Sequence, residues 1–534
     1  HEVTGSATLI ELNGKFFLVD YGMEQGKNVF ENVPLPIEPS QIEAVFLTHA
    51  HIDHSGMLPK LYKDGFRGAI YATDATCNLC RIMLKDSAHI QEQEFEWKSR
   101  KAARAGREVL EPVYTVQDAE NVIQYLRPCE YGTEYQANEG VTIRFTDIGH
   151  LLGSACIEIW LTEGDVTKKI VFSGDIGNKN KPILKNPQSV ESADYVVIES
   201  TYGTRLHEEA RKGIATELAS IIQRTLDRRG NLVIPAFAVG RTQELLYAIR
   251  KIKDNNMVTG HDHFPVYIDS PLAEAATSIF MQCDMSYFDE TMQNYLKQGI
   301  NPIWNDDIRF SSSAEESKAI NFDPEPKVIL SASGMCDAGR IRHHLKHNLW
   351  KHTSTILFAG YQAEGSLGRA LLDGIEEVTL FGERINVCAE IAHLHGASGH
   401  ADQAGLLEWI EGFTEKPSLV FVNHGEDSSV TEFAALLHEK FGFETVGPYS
   451  GTEYDLITGE PLVVTQGVRV EKPSVIYEKT YVSLGRKKAD ATYSNLILTC
   501  QRLLDTAKGS RELTNKELAR MQSEVASLLS KWTL

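Results

Sequence analysis

The sequence is short of cysteine, of long apolar runs and of positive charge, and each shortage excludes a class of protein. Eight cysteines, at positions 77, 80, 129, 156, 283, 336, 388 and 500, are scattered over 534 residues. That density is too low for a disulfide framework and implies reduced thiols. Only Cys77 and Cys80 have ligand-like spacing, and no second pair follows, so they read as neighbours on a helix. No apolar run reaches the roughly 20 residues needed to cross a bilayer. The chain opens on His1 without a charged start and apolar core, so export is not expected and the cytoplasm is the default location. With 53 basic against 73 acidic residues the net charge is −20, which excludes a surface that coats polyanions generally. Any site for a polyanion must be local, supported by charge concentrated at one point.

What remains is ordinary globular material, 42% apolar and 24% charged, with length for roughly three to four domains. From Glu43 to about Tyr202, short apolar runs at 44–47, 69–72, 142–145, 169–172 and 195–198 alternate with helical stretches, as in an α/β domain. A second alternation, from Gly203 to Glu390, has buried strands at 231–234, 266–268, 327–330 and 355–358, with helices such as 241–252 between them. A further strand at 418–422 has a helix on each side. Because its motif completes a site begun near residue 49, the second domain reads as an insertion into the first. Beyond Gly451 come short β-like pieces (461–470) and two helical stretches (494–507 and 514–532) separated by Gly509. In the last, Thr514 and Glu517 fit a capping box, and Leu518, Met521, Val525, Leu528 and Trp532 share one face. That face packs on its own protein or, alternatively, supports a homodimer.

The chemistry is concentrated in Thr48-His49-Ala50-His51-Ile52-Asp53-His54-Ser55-Gly56, directly after a buried strand and before a helix expected near Ser55. Loops at strand ends are where α/β sheets place ligands. Three imidazoles and a carboxylate in six residues offer nitrogen and oxygen donors suited to zinc, in numbers that can feed two ions. Manganese or iron would also accept such donors.

This segment resembles the metallo-β-lactamase superfamily, whose other ligands sit at later strand ends. Matching motifs are present: His150 in Asp147-Ile148-Gly149-His150, Asp175 in Phe172-Ser173-Gly174-Asp175, and His424 in Val422-Asn423-His424-Gly425-Glu426. The resemblance implies two Zn²⁺ per chain: His49, His51 and His150 on one, Asp53, His54 and His424 on the other, Asp175 between them. Two further segments, Val197-Ile198-Glu199-Ser200-Thr201-Tyr202-Gly203 and Gly396-Ala397-Ser398-Gly399-His400-Ala401-Asp402-Gln403, resemble motifs A and B of the β-CASP nucleases, with His424 as motif C. In that group a motif C histidine goes with RNA substrates and a valine with DNA. The segments Pro235-Ala236-Phe237-Ala238-Val239-Gly240-Arg241-Thr242-Gln243-Glu244 and Ser331-Ala332-Ser333-Gly334-Met335-Cys336 are more similar to the endonuclease subunit of the cleavage and polyadenylation factor, and its bacterial and archaeal relatives, than to ribonuclease J.

The resemblance covers about residues 1–455 and implies an α/β fold: a metallo-β-lactamase αββα sandwich (1–203 and the return segment 389–455), an inserted β-CASP domain (204–388) and a small C-terminal extension (456–534). Members usually start with a strand before Glu2, which is not present here and reads as truncation. The implied activity is cleavage of single-stranded RNA, endonucleolytic with a 5′-to-3′ exonuclease close behind, leaving 5′-phosphate and 3′-hydroxyl ends. Metal charge would supply an activated water and neutralise the phosphoryl group. Asp53 is then both ligand and catalytic residue, and His400, oriented by Glu199, is the proton donor to the leaving group. Ser331, Ser333 and Gly334 lie at a strand end before a helix, where short side chains and free N–H groups receive phosphate, with Arg340 as partner and Ser398 and Gly399 in a similar role beside His400. The ordinary-turn reading stands beside this one. Lys98, Arg100, Lys101, Arg104 and Arg107 form a solvated basic face or an RNA contact. His343, His344 and His347 read as structural or phosphate-contacting and not as another metal site. Two other functions remain: a dizinc hydrolase of an ester, thioester or lactam, and a non-catalytic RNA-processing subunit, which intact ligands argue against.

Overall fold

The computed structural model describes residues 1–25, 29–104, 111–207, 213–362, 365–396, 398–470 and 514–530. Its first sheet has five strands in sequence order: β1 (Thr8–Leu12), β2 (Lys15–Val19), β3 (Ile42–Phe46), β4 (Ala69–Thr73) and β5 (Leu126–Cys129). β1 and β2 form a hairpin, and β2 through β5 are parallel. The second sheet continues with β6 (Glu134–Asn138), β7 (Val141–Asp147), β8 (Ala155–Glu163) and β9 (Val166–Phe172), an antiparallel meander. Beside β9 lie β10 (Tyr195–Glu199) and two strands from far along the chain, Leu419–Asn423 and Thr445–Val446, all parallel.

Alternation along these strands explains why the sheets stack. Phe17, Val19, Ala44 and Phe46 of the first sheet pack against Ile143, Phe145, Ile157, Phe172 and Val197 of the second. The intervening residues point the other way: Leu18 and Val45 pack with the helices Leu58–Lys63 and Asp74–Arg104, and Val171, Val196 and Ile198 with the helices Gln403–Glu411 and Asp427–Phe441. The result is an αββα sandwich. Each fully buried Phe or Leu in it stabilises the fold by roughly 1.5–3 kcal/mol.

The inserted segment builds a third, wholly parallel sheet of β11 (Leu232–Pro235), β12 (Val266–Asp269), β13 (Ile308–Phe310), β14 (Val328–Ser331), β15 (Thr355–Phe358) and the strand Glu390–His393, in the order β13-β12-β14-β11-β15 and then Glu390–His393. Parallel pairing requires crossovers, and helices such as Ile214–Asp227, Arg241–Asp254 and Pro271–Gln282 supply them. A second compact unit contains the hairpin Glu377–Leu380 and Glu383–Asn386 and the helix Asn515–Ser530. In that helix Thr514 and Glu517 make the expected reciprocal cap.

The structure also corrects several expectations. The helix expected near Ser55 begins earlier, as the short turn Ile52–Ser55 followed by Leu58–Lys63. β8 and the strands β1, β2, β5, β6, β13 and Glu390–His393 lie outside the expected set. Cys77 and Cys80 are buried, unpaired neighbours on the helix Asp74–Arg104, as anticipated. That helix carries Arg100, which pairs with Glu96 four residues earlier. Arg107, the stretch 494–507 and Trp532 lie outside the described residues.

Candidate metal centre and its neighbours

Every histidine and carboxylate singled out at a strand end arrives at one edge of the sandwich. His49 and His51 follow β3, His150 follows β7, Asp175 follows β9, Glu199 ends β10, and His424 follows the strand Leu419–Asn423. The chain turns sharply at these points. His424 itself takes a left-handed φ of 47°. Gly174 has a φ of 56°, and a Cβ there would meet Thr48 Cβ at 2.9 Å, so only glycine lets Asp175 turn inward beside the histidines.

Two groups form around Asp175. In the first, His51 Nδ1 lies 3.1 Å from both His49 Nε2 and His150 Nε2, and Asp175 Oδ2 is 3.4 Å from His49 Nε2. In the second, His54 Nε2 lies 3.0 Å from His424 Nε2, Asp53 is 3.8 Å from His424 Nε2, and Asp175 Oδ1 is 3.2 Å from His54 Nε2. One carboxylate oxygen thus faces each group. A tetrahedral zinc with Zn–N of about 2.0–2.1 Å separates neighbouring nitrogens by about 3.3 Å, so the spacing fits. Among the described residues, His49, His51, His150 and Asp175 form one set able to hold a metal ion, and Asp53, His54 and His424 another.

The outer partners fix which nitrogen faces inward. His54 Nδ1 donates to Asp20 Oδ2 at 2.7 Å, which leaves Nε2 facing the centre, where a cation, proton or metal, is favoured. Thr48 donates to Asp20 and lies 3.0 Å from His49 Nδ1, so Asp20 supports both imidazoles. Asp175 Oδ1 is buried without a hydrogen-bond partner, an arrangement that a cation would satisfy.

The electrostatics point the same way. Burial opposes charge on His54, but Asp175 and Asp20 flank it and hold its pKa well above the usual imidazole value. Burial and His49 push His51 down to about 3, and burial with His400 lowers His150 strongly. Both are therefore neutral donors at pH 7. Although burial works against its ionisation, Asp175 stays well below the ordinary carboxylate range because His424, His54 and His49 surround it. The position demands positive charge.

His400 stands beside the first group, its ring 4.5 Å from that of His150, with Nδ1 3.3 Å from Glu199. Burial disfavours its charged form, yet Glu199 and Asp175 raise it to about 9. The next residues lock the loop: Ala401 N–H donates to Ile176 O, and Asp402 caps the helix Gln403–Glu411 through Gly405 N–H and accepts from His207 N–H.

The residues expected at a phosphate are more dispersed. Ser331 is buried and donates to Asp269 O. Arg340 spends its guanidinium on Asp269 and on the carbonyls of Ser311 and Ser312. Ser333 exchanges hydrogen bonds with Ala338, and Ser398 Oγ donates to His400 O. His344 is buried between Asp269 and Asn321, in keeping with a structural role. Among the described residues, His343 and His347 join no metal-capable group.

Three contributors were not assigned a role from sequence. Asp20 follows a short strand with no motif to mark it. Thr201 Oγ1, 3.2 Å from His424 Nδ1, sits inside the Val197–Gly203 motif with nothing in its sequence to distinguish it. Lys181, whose ammonium pairs with Glu244 at 2.9 Å and donates to His150 O at 3.3 Å, sits in a polar loop with no distinguishing pattern.

Comparison with known proteins is decisive at this point. Residues 2–261 match the metallo-beta-lactamase superfamily, residues 242–371 the Beta-Casp domain, and residues 384–448 the Zn-dependent metallo-hydrolase RNA specificity domain. Ribonuclease TTHA0252 of Thermus thermophilus is 38% identical over 439 residues, spanning 82% of this chain and 94% of that protein. The chain belongs to the β-CASP metallo-β-lactamase family. A transcription termination factor FttA of Pyrococcus abyssi is 29% identical over 469 residues, spanning 84% of this chain and 68% of that factor. Its counterpart in Methanocaldococcus jannaschii is 30% identical over 418 residues, spanning 76% of this chain and 62% of that factor. As a β-CASP protein the chain is a metal-dependent hydrolase, and the paired His and Asp groups are the donors such a metal needs. None of its described helices is long and apolar enough to cross a membrane.

Proposed function

We propose that this protein cleaves single-stranded RNA with two Zn²⁺ ions, leaving 5′-phosphate and 3′-hydroxyl ends, primarily as an endonuclease. The observation that carries the reading is the juxtaposition of His400, paired with Glu199, against a doubled donor set that shares Asp175. His49, His51, His150 and Asp175 would hold one ion, and Asp53, His54, His424 and Asp175 the other. Bound there, the metals would lower the pKa of a water and offset charge on the phosphoryl group.

The chain's own side chains supply the rest. His400, raised to about 9, carries a proton at neutral pH and can give it to the departing ribose oxygen, while Glu199 holds the ring through Nδ1 and leaves Nε2 for the substrate. Ser333, Gly334 and Ser398 remain the candidates for phosphate contact. Ser331 and Arg340 hold the strand-end turn through Asp269. The domain division proposed is at 203, 388 and 455, and the strand Glu390–His393, just past the second of these, pairs with β15 of the inserted sheet. In the second unit, Leu518 is exposed on the C-terminal helix and Val525 half-buried, and self-association of that face stands as the alternative to packing on its own protein. Sedimentation of wild type and Leu518→Glu at two concentrations tests it.

The test of function uses wild-type protein with end-labelled single-stranded RNA, the equivalent DNA, nitrocefin and a thioester. RNA products that phosphatase treatment then makes available to relabelling at the 5′ end support the reading. Turnover of the ester or lactam alone, with metal bound and RNA intact, would replace it with the small-molecule hydrolase.

A further inference from the structure

Phe237 is out of place by the rule that governs its neighbours. The segment after β11 runs Ala236, Phe237, Ala238, Val239, and the three small residues are 2%, 7% and 5% exposed. The one large ring among them is 49% exposed. Burial of a phenylalanine is favourable by roughly 1.5–3 kcal/mol, so leaving half of the ring in water forgoes part of that stabilisation.

The surroundings fix where the ring sits. The loop turns at Gly240, where a Cβ would approach Leu151 Cδ1 at 3.1 Å, one residue past His150. On its other side the ring lies against the backbone at Gly334: a Cβ at Gly334 would come to 3.0 and 3.1 Å from two ring carbons. Gly334 therefore lets the ring pack close against the β14 turn while about half of the residue stays exposed. A second aromatic residue borders the same region. Tyr361, 44% exposed, follows β15, and the adjacent Gln362 donates to Gly334 O at 3.0 Å. Tyr361 is also close enough to Tyr202 to influence its ionisation, and the Tyr202 ring lies 6.1 Å from that of His400. Half-buried Tyr202 thus stands beside His400, and the exposed rings of Tyr361 and Phe237 lie toward the turn at Gly334.

We propose that Phe237 stacks a base of the bound RNA next to the scissile phosphate, with Tyr361 lining the same track. The inference rests on the ribonuclease reading and names how that site grips its substrate. Stacking suits a chain with a net charge of −20, because every base presents a flat face whatever the sequence and the contact needs no local cation.

The test is equilibrium binding and steady-state cleavage of a fluorescent single-stranded RNA by metal-loaded wild type, Phe237→Ala, Phe237→Leu and Phe237→Trp, with melting temperatures recorded for each. Loss of one stacked base weakens binding about 5- to 150-fold. The alanine and leucine variants should show that loss in Kd and KM with kcat changed far less, and Phe237→Trp should restore it. Leucine keeps bulk and apolarity, so wild-type affinity in Phe237→Leu would overturn stacking even if Phe237→Ala folded poorly. An RNA lacking bases at successive positions should abolish the difference between wild type and Phe237→Ala at one position, and an unchanged difference at all of them contradicts the proposal. If wild type binds and cuts RNA while all variants match it, stacking alone fails. If wild type with full metal neither binds nor cuts RNA, the function reading fails and the proposal with it.

Discussion

Asp20 shows how much of this centre depends on residues that never reach the substrate. Its carboxylate accepts from His54 Nδ1 and from Thr48, which in turn meets His49 Nδ1, so one buried side chain orients a donor in each metal group. Replacing it with Asn removes the charge and lets the amide present either end to His54. Removal of such a partner typically weakens metal affinity about 10- to 100-fold. Asp20→Asn should therefore release metal to a competing chelator at correspondingly lower chelator concentration, with a fold intact by circular dichroism. Unchanged metal affinity would show that His54 is held by other means. Glu199 makes a parallel case for His400. It raises His400, so a raised group loses its proton only as pH climbs through its elevated pKa. The activity of the wild type should fall on a basic limb at or below about 9, below if bound cations repel the imidazolium. Glu199→Gln should move that limb to lower pH and reduce kcat, and a limb that stays in place would mean His400 is not the titrating group.

At the level of elements, the inserted sheet is held at its strand ends by a buried polar knot. Asp269, the last residue of β12, accepts from Arg340, Ser317 and His344, all within 2.8 Å. Burial opposes its charge, but His344, Ser317 and Arg340 lower its pKa to about 2. A carboxylate lowered on folding stabilises the protein above its unfolded value near 4, and that contribution disappears as pH falls toward about 2. Asp269→Asn leaves Arg340 and His344 with a weakened partner and should cost about 3 kcal/mol, read as a lower denaturation midpoint at pH 7. The gap between variant and wild type should narrow as pH drops from about 4 to about 2, and a constant gap would show that charge is not what matters. The same elements show where sequence patterns end. Strands such as Tyr195–Glu199 and Thr355–Phe358 are continuous apolar runs because parallel strands are buried on both faces, and they are legible for that reason. β8 is equally apolar from Ala155 to Leu161 except for Glu158, whose carboxylate is buried between Arg144 and Lys169, a pairing made only across neighbouring strands. β6 is short and half-exposed at the edge of its sheet, and its alternation places only Tyr135 and Ala137 against the core, too few apolar residues to mark it.

Across the whole molecule, the site was legible because its chemistry is carried by residues that are rare in such clusters, in motifs that follow strands. His49, His51, His54, His150, Asp175 and His424 span 376 positions, from 49 to 424, and the sandwich brings them to one edge. Arg340 and Ser331 were less legible: a strand-end turn looks the same in sequence whether or not it also satisfies a buried carboxylate such as Asp269. Phe237 lies inside the motif Pro235–Glu244, but its half-exposure emerges only once the neighbouring turn is in place. Because the donors come from distant segments, bound metal should stabilise the assembled sandwich and not the separated chain. Saturating metal at about 100 times its Kd adds about 2.7 kcal/mol. Chelation should lower the melting temperature by several degrees and zinc should restore it, whereas an unchanged temperature would mean that the clustered side chains hold no metal.

The central claim is that a proton-donating imidazole works beside a two-metal donor set on RNA. Its most direct measurement is cleavage of labelled single-stranded RNA by wild type and by His400→Ala, with metal content determined on the same preparations. The account predicts about two zinc ions in both proteins, cleavage of RNA but not of the DNA equivalent by wild type, and a loss of at least about 100-fold in the variant. Full metal in both proteins with equal RNA cleavage would remove His400 from the mechanism, and full metal with no cleavage by wild type would contradict the account as a whole.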